Sequence, residues 1–314
     1  MIEVKNLVKK YGNDPVIKGI SFSMDEGKVY GLLGKNGAGK STIMNMMTGY
    51  LGSTSGDIII NGHNILTDPK EAKKEIGYFP EQPPLYGDMT VGEYLTFSAE
   101  LKGISKSKIK ECVDKVIETT NLGVMKDRLI KNLSKGYKQR AGFAHAIMGM
   151  PSVLILDEPT SGLDPYQIIE MRELIRKLSD DHTILLSSHI LQEISAICDE
   201  IIVISDGKIV ACDTPERIEE QLGSQNTIKI IFKGDEEKAY DIISSVKDIG
   251  KIERVSDQEI HLQMNDNRDV REELFWSFAD NKIAIIGMER TMQSLEDLFI
   301  ELTEGNGTQP DQKT

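Results

Sequence analysis

The feature that most constrains the fold of this chain is a glycine-rich stretch, Gly-Lys-Asn-Gly-Ala-Gly-Lys-Ser-Thr, at residues 34–42. It fits the phosphate-loop pattern G-x-x-x-x-G-K-[ST] at every fixed position. The apolar segment before it, residues 29–33, predicts a buried strand, and residues 41–47 after it are typical of the start of a helix. This order of strand, loop and helix is the context in which the pattern binds phosphate, so the sequence predicts a nucleoside triphosphate site.

Each residue type in the loop has a physical reason to be there. Glycines let backbone N–H groups turn toward an anion, and the N-terminus of the following helix adds the positive end of its dipole. We expect Lys40 to reach the β- and γ-phosphates and the Ser41 hydroxyl to ligate Mg²⁺. The predicted nucleotide contacts of the loop are Gly34, Asn36, Gly37, Ala38, Gly39, Lys40, Ser41 and Thr42. The alternative is a glycine-rich turn that matches the pattern by accident.

Two carboxylates follow a fully apolar strand predicted at residues 152–156. Continuous apolar strands of this kind are typical of parallel sheets that are covered on both faces. We expect Asp157 to hold Mg²⁺, directly or through water, and Glu158 to polarise the water that attacks the γ-phosphate. An acidic pair at a strand end is often only a helix cap or a surface charge, but the phosphate loop upstream favours the catalytic interpretation.

His189 and Tyr11 are weaker candidates for the same site. His189 follows a strand predicted at residues 183–188, at the end where phosphate-loop folds bind ligand, so it is expected to contact the γ-phosphate or to orient Glu158 and the water. Tyr11 could stack on an adenine, although an aromatic at this position is more often an ordinary strand residue. Structural or exposed roles are predicted for the other histidines, His63, His145, His182 and His261.

The length of 314 residues favours two domains. Alternating polarity before residue 25 predicts antiparallel strands, and helical periodicity predicts a helical subdomain at about residues 88–150, inserted into an α/β domain at 1–222.

A polar link separates this domain from a second predicted unit, residues 223–304. Its segments follow the order strand, helix, strand, strand, helix, strand, which is ferredoxin-like α+β. An amphipathic helix is predicted at residues 294–302 and a disordered tail at 305–314.

The formal net charge is −13, with the larger acidic excess after residue 220. A field of that sign repels phosphate backbones, so we expect no nucleic-acid partner. No apolar run approaches the roughly 18 to 20 residues that span a bilayer, and the N-terminus has no signal-peptide pattern. The sequence therefore predicts a cytoplasmic chain.

Five motifs, taken in order over about residues 1–222, resemble the ATP-binding-cassette (ABC) ATPases. They are the phosphate loop, the signature Leu-Ser-Lys-Gly-Tyr-Lys-Gln-Arg at 133–140, the strand into the acidic pair at 154–158, the turn Ser-Gly-Leu-Asp at 161–164, and His189. The resemblance implies an α/β phosphate-loop core with a mostly parallel sheet, an antiparallel β subdomain and the inserted helical subdomain. It also implies binding and hydrolysis of ATP with Mg²⁺.

The resemblance further implies that two nucleotide domains meet head to tail in a dimer, most simply of two copies of this chain. Ser134 and Gly136 of one chain would then cap the ATP on the phosphate loop of the other, and Asp164 would belong to the shared site. A helix that opens at Ser134 has an N-terminus suited to a γ-phosphate.

The chain departs from the family's pattern in two places. Lys135 and Tyr137 stand where the usual signature, Leu-Ser-Gly-Gly-Gln, has a glycine and the glutamine. In the loop after Phe79, Glu81 occupies the place of a glutamine that usually ligates Mg²⁺, and Gln82 lies one residue later. Both side chains offer an oxygen to the metal. We predict Gln82 as the ligand, with Glu81 as the alternative.

These variants and the added second unit resemble the ATPases that power multidrug-type or gliding-motility-type exporters through a separate integral membrane permease. Such a chain is peripheral on the inner face of the cell membrane, and Leu85, Tyr86 and Met89 are candidate permease contacts or plain packing under a proline-rich loop. The main alternative is a soluble cassette protein that acts on ribosomes or nucleic acid. A nucleotide-binding regulator without turnover is disfavoured, because Glu158 and His189 are both present.

Overall fold

A computed structural model describes residues 1–222, 226–247, 249–264 and 268–292. The predicted helix at 294–302, the predicted tail at 305–314 and most of the predicted polar link lie outside the described residues. Contacts divide the chain into two units, Met1–Pro215 and Glu216–Thr314. This division falls at the start of a helix, Pro215–Leu222, whereas the domain boundary expected from the sequence is at the end of that segment.

The first unit begins with three strands and then mixes helices with strands. Its strands are β1 (Ile2–Tyr11), β2 (Asp14–Met24), β3 (Val29–Leu33), β4 (Ser55–Ile60), β5 (His63–Asn64), β6 (Ile76–Phe79), β7 (Val153–Leu156), β8 (Thr183–Ser188), β9 (Glu200–Ser205) and β10 (Lys208–Asp213). Its helices are α1 (Lys40–Met47), α2 (Pro69–Lys74), α3 (Val91–Leu101), α4 (Lys106–Thr119), α5 (Lys135–Ala146), α6 (Pro165–Leu178) and α7 (Leu191–Ser195), and α8 is Pro215–Leu222. Two short 3₁₀ turns, Gly123–Met125 and Ile130–Asn132, lie between α4 and α5.

Six of the described strands form the central sheet, in the order β10-β9-β3-β8-β7-β6. All neighbours pair in parallel except β10 and β9. Every residue of β3, β7 and β8 is buried, as expected for a parallel sheet covered on both faces. The carboxyl ends of β3, β6, β7 and β8 therefore meet at one edge, and the loops that leave this edge carry most of the predicted site residues.

A second sheet of the first unit is antiparallel, with the order β2-β1-β4-β5 in the described part of the chain. Ile20, Phe22 and Met24 of β2 are buried and Ser21 and Ser23 are exposed, so the predicted alternation is confirmed. The buried side chains of this sheet share one hydrophobic core with α1 and the central sheet. That core supports the phosphate loop.

The helical subdomain is inserted between β6 and β7 and comprises α3, α4 and α5, as predicted. α3 begins with a reciprocal capping box between Thr90 and Glu93. α5 begins after Ser134, whose side chain caps the helix by accepting from the N–H of Tyr137. Within this unit, the Arg140 guanidinium of α5 lies 2.6 Å from the Glu170 carboxylate of α6, which ties the signature helix to the central domain.

The second unit has its own sheet and core. Its elements are β11 (Asn226–Lys233), α9 (Glu236–Ser245), β12 (Ile249–Ser256), β13 (Glu259–Met264), α10 (Arg271–Asp280) and β14 (Ala284–Met292). The strand order β12-β13-β11-β14, antiparallel throughout, confirms the ferredoxin-like prediction. Its core, which includes Phe232, Leu274 and Phe278, draws only on residues of this unit. Over the residues described in both units, no helix has the length and apolarity that crossing a membrane requires.

Candidate active site

The phosphate loop joins the end of β3 to α1, and its glycines are required by the local backbone. Gly37 and Gly39 have φ values of 84° and 111°, a region that other residues rarely adopt. A Cβ on Gly39 would lie 2.5 Å from Ile17 Cδ1, and a Cβ on Gly34 would lie 2.7 Å from the Ile204 carbonyl oxygen. The loop therefore packs too closely on its supports for larger residues at these positions.

A polar cavity of about 260 Å³ opens beside the loop. The residues that line it come from β2, the phosphate loop with α1, and the loops after β6, β7 and β8: Val16, Asn36, Gly37, Gly39, Lys40, Ser41, Thr42, Glu81, Glu158, Ser161 and His189. The structure thus brings most of the predicted loop contacts together with both predicted catalytic residues. Val16 and Ser161 were not predicted from the sequence.

Lys40 lies almost fully buried at the floor of this cavity. Its ammonium donates to the Gly34 carbonyl oxygen at 2.7 Å and lies 4.0 Å from Glu158 Oε1. Burial lowers the pKa of the Lys40 ammonium, and the carboxylates of Glu158 and Asp157 oppose that shift. The Lys40 side chain therefore lies between the phosphate loop and the acidic pair, where the phosphates of a nucleotide are expected.

Asp157 is held by a serine of the neighbouring strand. Ser187 Oγ donates to Asp157 Oδ1 at 2.6 Å and accepts from the backbone N–H of Glu158 at 2.9 Å. Ser187 was missed in the sequence, where the signal was a polar residue at the end of an otherwise apolar strand. Its hydroxyl fixes both members of the acidic pair relative to β8.

Glu158 and His189 are in contact. His189 Nδ1 lies 3.1 Å from each carboxylate oxygen of Glu158, whose side chain is 14% exposed against 48% for the histidine. Glu158 has φ 49°, in the left-handed region that non-glycine residues seldom occupy. Such backbone strain is concentrated at functional sites, and here it belongs to the residue predicted to activate water.

The two candidates for the remaining metal ligand differ in the cavities that they line. Both line a neighbouring cavity with Lys135 and Lys138, but Glu81 also lines the cavity of Ser41 and Glu158, whereas Gln82 is absent from that lining. Within the described residues the geometry therefore favours Glu81 over Gln82, because only the glutamate shares the cavity with Ser41.

The donors suit Mg²⁺ by their chemistry. Ser41 and Glu81 line the cavity, whereas Asp157 is buried next to Glu158 and is not among the described lining residues. All three offer oxygen, and Mg²⁺ prefers a few protein oxygens combined with substrate phosphates. Among the described residues, no group of three or more His, Cys, Asp or Glu side chains is arranged to hold a metal by itself.

Four predicted nucleotide contacts from beyond the phosphate loop do not line this cavity in the described part of the chain. Tyr11 is 53% exposed at the end of β1, with the Lys9 ammonium 5.3 Å from its ring centroid. Ser134 and Asp164 are exposed caps of α5 and α6, and a Cβ on Gly136 would lie 2.7 Å from the Gln167 side chain. One chain alone therefore does not bring these four residues to its own cavity.

Of the candidate permease contacts, Tyr86 is the most exposed. Its side chain is 56% exposed, yet its ring centroid lies 6.1 Å from that of Tyr94 and 5.8 Å from that of Phe97 on α3. Leu85 lines the cavity that also contains Gln82, and Met89 is partly buried. The Tyr86 ring thus packs on α3 and also leaves part of its surface accessible, so both predicted roles remain open for it.

Comparison with known proteins gives a consistent set of similarities. A family model described as ABC transporter matches residues 17–161. The bacitracin transport ATP-binding protein BcrA of Bacillus licheniformis is 35% identical over 316 residues, which cover 98% of each chain. The lantibiotic transport ATP-binding protein SrtF of Streptococcus pyogenes is 39% identical over 229 residues, or 72% of this chain and 97% of its own. A solved structure of an ATP-binding subunit of an ABC transporter superposes with a TM-score of 0.65 at 31% identity, covering 71% of this chain and 93% of that one.

Proposed function

This chain belongs to the ABC transporter family of ATP-binding proteins, and from that premise we propose how its site works and what it works with. Within the family it is an ATPase and an ATP-binding subunit of the exporter type. The two curated relatives described above are transport ATP-binding proteins, which favours this function over a soluble cassette acting on ribosomes or nucleic acid. The observation that carries the proposed mechanism is the contact between Glu158 and His189 beside Lys40.

We assign the chemical roles from that contact. Glu158 accepts a hydrogen bond from the attacking water and takes its proton as the bond from the water oxygen to the γ-phosphorus forms. The bond between the γ-phosphorus and the β-phosphate oxygen breaks in the same step, and ADP leaves. His189, with Nδ1 3.1 Å from both carboxylate oxygens, orients Glu158. Lys40 holds the β- and γ-phosphates and stabilises the charge that develops on them. These roles use three side chains that already line one cavity.

Mg²⁺ fits the oxygen donors of the site, and the residues that would hold it are Ser41, Asp157 and Glu81. When bound, it would neutralise charge on the phosphate oxygens. The chain's own contribution is to fix these donors: Ser187 holds Asp157 through a bond of 2.6 Å.

We also propose that the working unit is a dimer of two such chains. Ser134, Gly136 and Asp164 do not line the cavity of their own chain within the described residues, although the α5 N-terminus is well capped and suited to an anion. A second copy placed head to tail would supply them to the facing phosphate loop. ATP would close this dimer and hydrolysis would open it.

The exporter assignment implies a separate membrane permease, and we place its contact on the helical subdomain near Tyr86. The exposed part of the Tyr86 ring offers an apolar surface, and its packing on α3 gives that surface a rigid support. The chain would then be held at the inner face of the cell membrane through the permease.

The catalytic assignment is tested by Glu158→Gln, with Glu173→Gln on the exposed side of α6 as the matched control. The amide cannot take the proton of water, so turnover should fall by about 10²–10⁴-fold. ATP binding should persist, because Lys40 and the phosphate loop are unchanged. ATPase rate, nucleotide affinity and particle mass with and without ATP are the measurements.

Normal hydrolysis by the Glu158→Gln protein would show that Glu158 does not activate the attacking water. A mass that stays monomeric with ATP, in a variant that binds ATP but cannot hydrolyse it, would contradict the dimer. The control Glu173→Gln should match the wild type in all three measurements.

The metal assignment is tested by comparing Glu81→Ala with Gln82→Ala. ATP binding will need a certain Mg²⁺ concentration to reach half of its maximum. We expect that concentration to rise on the order of 10-fold for the Glu81 variant only. A rise confined to the Gln82 variant would reverse the assignment and restore the glutamine as the ligand.

A further inference from the structure

Glu193 is a buried carboxylate that the mechanism above does not use. It lies in the first turn of α7 and is 9% exposed. Its Oε2 accepts from Thr160 Oγ1 at 2.6 Å and from Ser188 Oγ at 3.2 Å, and both of these residues are themselves buried. Carboxylates are seldom buried unless they are hydrogen-bonded, and here Thr160 and Ser188 supply the donors.

The two donors lie on the two segments that carry the catalytic pair. Thr160 follows Glu158 by two residues, in the loop after β7, and Ser188 directly precedes His189 at the end of β8. Ser188 Oγ also accepts from the backbone N–H of Ile190 at 3.0 Å, which fixes the chain on the other side of His189. One oxygen atom of Glu193 therefore joins the loops that present Glu158 and His189.

Both loops need such a restraint. Glu158 is in a left-handed backbone conformation, and the chain turns sharply after it, with the Ser161 N–H bonded to the Glu158 carbonyl oxygen at 3.0 Å. His189 is half exposed, and within the described residues its ring is hydrogen-bonded to Glu158 alone. A misplacement of about 1 Å in a catalytic group can cost roughly 10²-fold in rate.

We propose that Glu193 is a positioning residue for ATP hydrolysis, which holds the Glu158 loop and the His189 loop together through Thr160 and Ser188. The inference rests on the proposed catalytic roles of Glu158 and His189. It does not involve nucleotide binding, because neither Glu193, Thr160 nor Ser188 lines the nucleotide cavity as the structure describes it.

The geometry predicts different results for variants that remove only the charge of Glu193 and for variants that remove its hydrogen bonds. Both donors point at the same oxygen, Oε2, and an amide oxygen can also accept two hydrogen bonds. Glu193→Gln should therefore retain the link, whereas the apolar Glu193→Leu should lose it. In the same way Thr160→Ser keeps the hydroxyl, and the isosteric Thr160→Val removes only that hydroxyl.

The experiment compares these four variants as full-length chains in ATP hydrolysis and ATP binding. Glu193→Leu and Thr160→Val should lower kcat by about 10-fold or more, with the ATP dissociation constant within about 2-fold of the wild type. Glu193→Gln and Thr160→Ser should stay within about 3-fold of the wild-type kcat. A double variant that combines Glu193→Leu with Thr160→Val should lose little more than either single change, because both break one link.

Several outcomes would overturn the proposal. Wild-type kcat in Thr160→Val would do so, and this variant keeps the test decisive if Glu193→Leu fails to fold. If Glu193→Gln and Thr160→Ser lost as much kcat as Glu193→Leu and Thr160→Val, Glu193 would be assigned to the fold alone. A loss of kcat accompanied by an equal loss of ATP affinity would lead to the same conclusion. Normal ATP hydrolysis by Glu158→Gln would contradict the proposed catalytic roles themselves. That result is distinguishable from the outcomes above, which contradict only the role of Glu193.

Discussion

Single hydroxyl groups set much of the geometry of this site. Ser187 is fully buried, donates to Asp157 and accepts from the Glu158 N–H. Asp157 is only 6% exposed, so its carboxylate depends on this donor more than on water. A serine outside the lining of the nucleotide cavity thereby contributes to the position of both acidic residues.

We expect Ser187→Ala to destabilise the protein by about 1–3 kcal/mol, because it leaves a buried carboxylate oxygen without its donor. The free energy of unfolding in urea, measured without nucleotide, checks this. Ser23→Ala, at an exposed position of β2, is the control and should change stability by less than about 0.5 kcal/mol. Equal stabilities for the two variants would show that Asp157 does not need the bond.

Residues in local motifs could be predicted from the sequence, and those defined by distant partners could not. The phosphate loop is a contiguous pattern whose spacing alone specifies its chemistry. Glu193 and Thr160 are far apart in the chain and meet only because β7 and β8 are neighbours in the sheet. The choice between Glu81 and Gln82 depends on which way one turn faces, which a proline-rich segment does not reveal.

At the scale of elements, α5 connects the signature to the interior of the helical subdomain. His145 near its end lies with Nδ1 3.0 Å from Ser98 Oγ on α3, and its ring centroid is 5.7 Å from that of Tyr94. Burial, with a smaller contribution from the charge of Lys102, lowers the pKa of His145 to about 4. The contact between α3 and α5 is therefore built around a neutral imidazole.

This contact should weaken in acid. Between the unfolded-state pKa near 6.5 and the folded value of about 4, the unfolded chain binds a proton that the folded chain refuses, so stability falls as pH falls. From pH 7 to 5 the wild type should lose about 1–2 kcal/mol more than His145→Asn, whose amide can occupy the Nδ1 position without titrating. Urea unfolding at both pH values measures this difference. Equal losses of stability in the wild type and in His145→Asn would contradict a neutral, buried imidazole at His145.

Elements with strong apolar periodicity over a long segment were predictable from the sequence, whereas the short helices α2 and α8 were not predicted. α2 has six residues and buries only Ala72, so it leaves almost no periodic signal. α8 adjoins the polar link, and its sequence, Pro-Glu-Arg-Ile-Glu-Glu-Gln-Leu, resembles a charged connector as much as a helix. Short elements of this kind depend on their surroundings more than on their own pattern.

At the scale of the whole molecule, each unit has a hydrophobic cluster built from its own described residues. The cluster under the phosphate loop draws on residues up to Ile209, and the cluster of the second unit begins at Ile228. All residues that line the nucleotide cavity lie in the first unit. Neither core would be cut by ending the chain after residue 222.

A chain of residues 1–222 should therefore fold and bind ATP with an affinity within about 3-fold of the full-length protein, since it keeps a complete core and every lining residue. Circular dichroism establishes folding, and titration with a fluorescent ATP analogue measures affinity. Lys40→Ala in the same short chain is the control and should lose binding. A folded short chain that does not bind ATP would make the second unit part of the site.

The order of strands in the central sheet also determines when the nucleotide site can form during synthesis of the chain. β3 carries the phosphate loop and is among the first strands to be made, but its two neighbours in the sheet, β8 and β9, are among the last of the first unit. Until Ser205 has left the ribosome, β3 has an unpaired edge on at least one side and the loop lacks the support of Ile204. Nascent chains stalled before that residue should thus depend on chaperones and hold no nucleotide, because closing such distant pairings is slow and leaves strand edges open to aggregation.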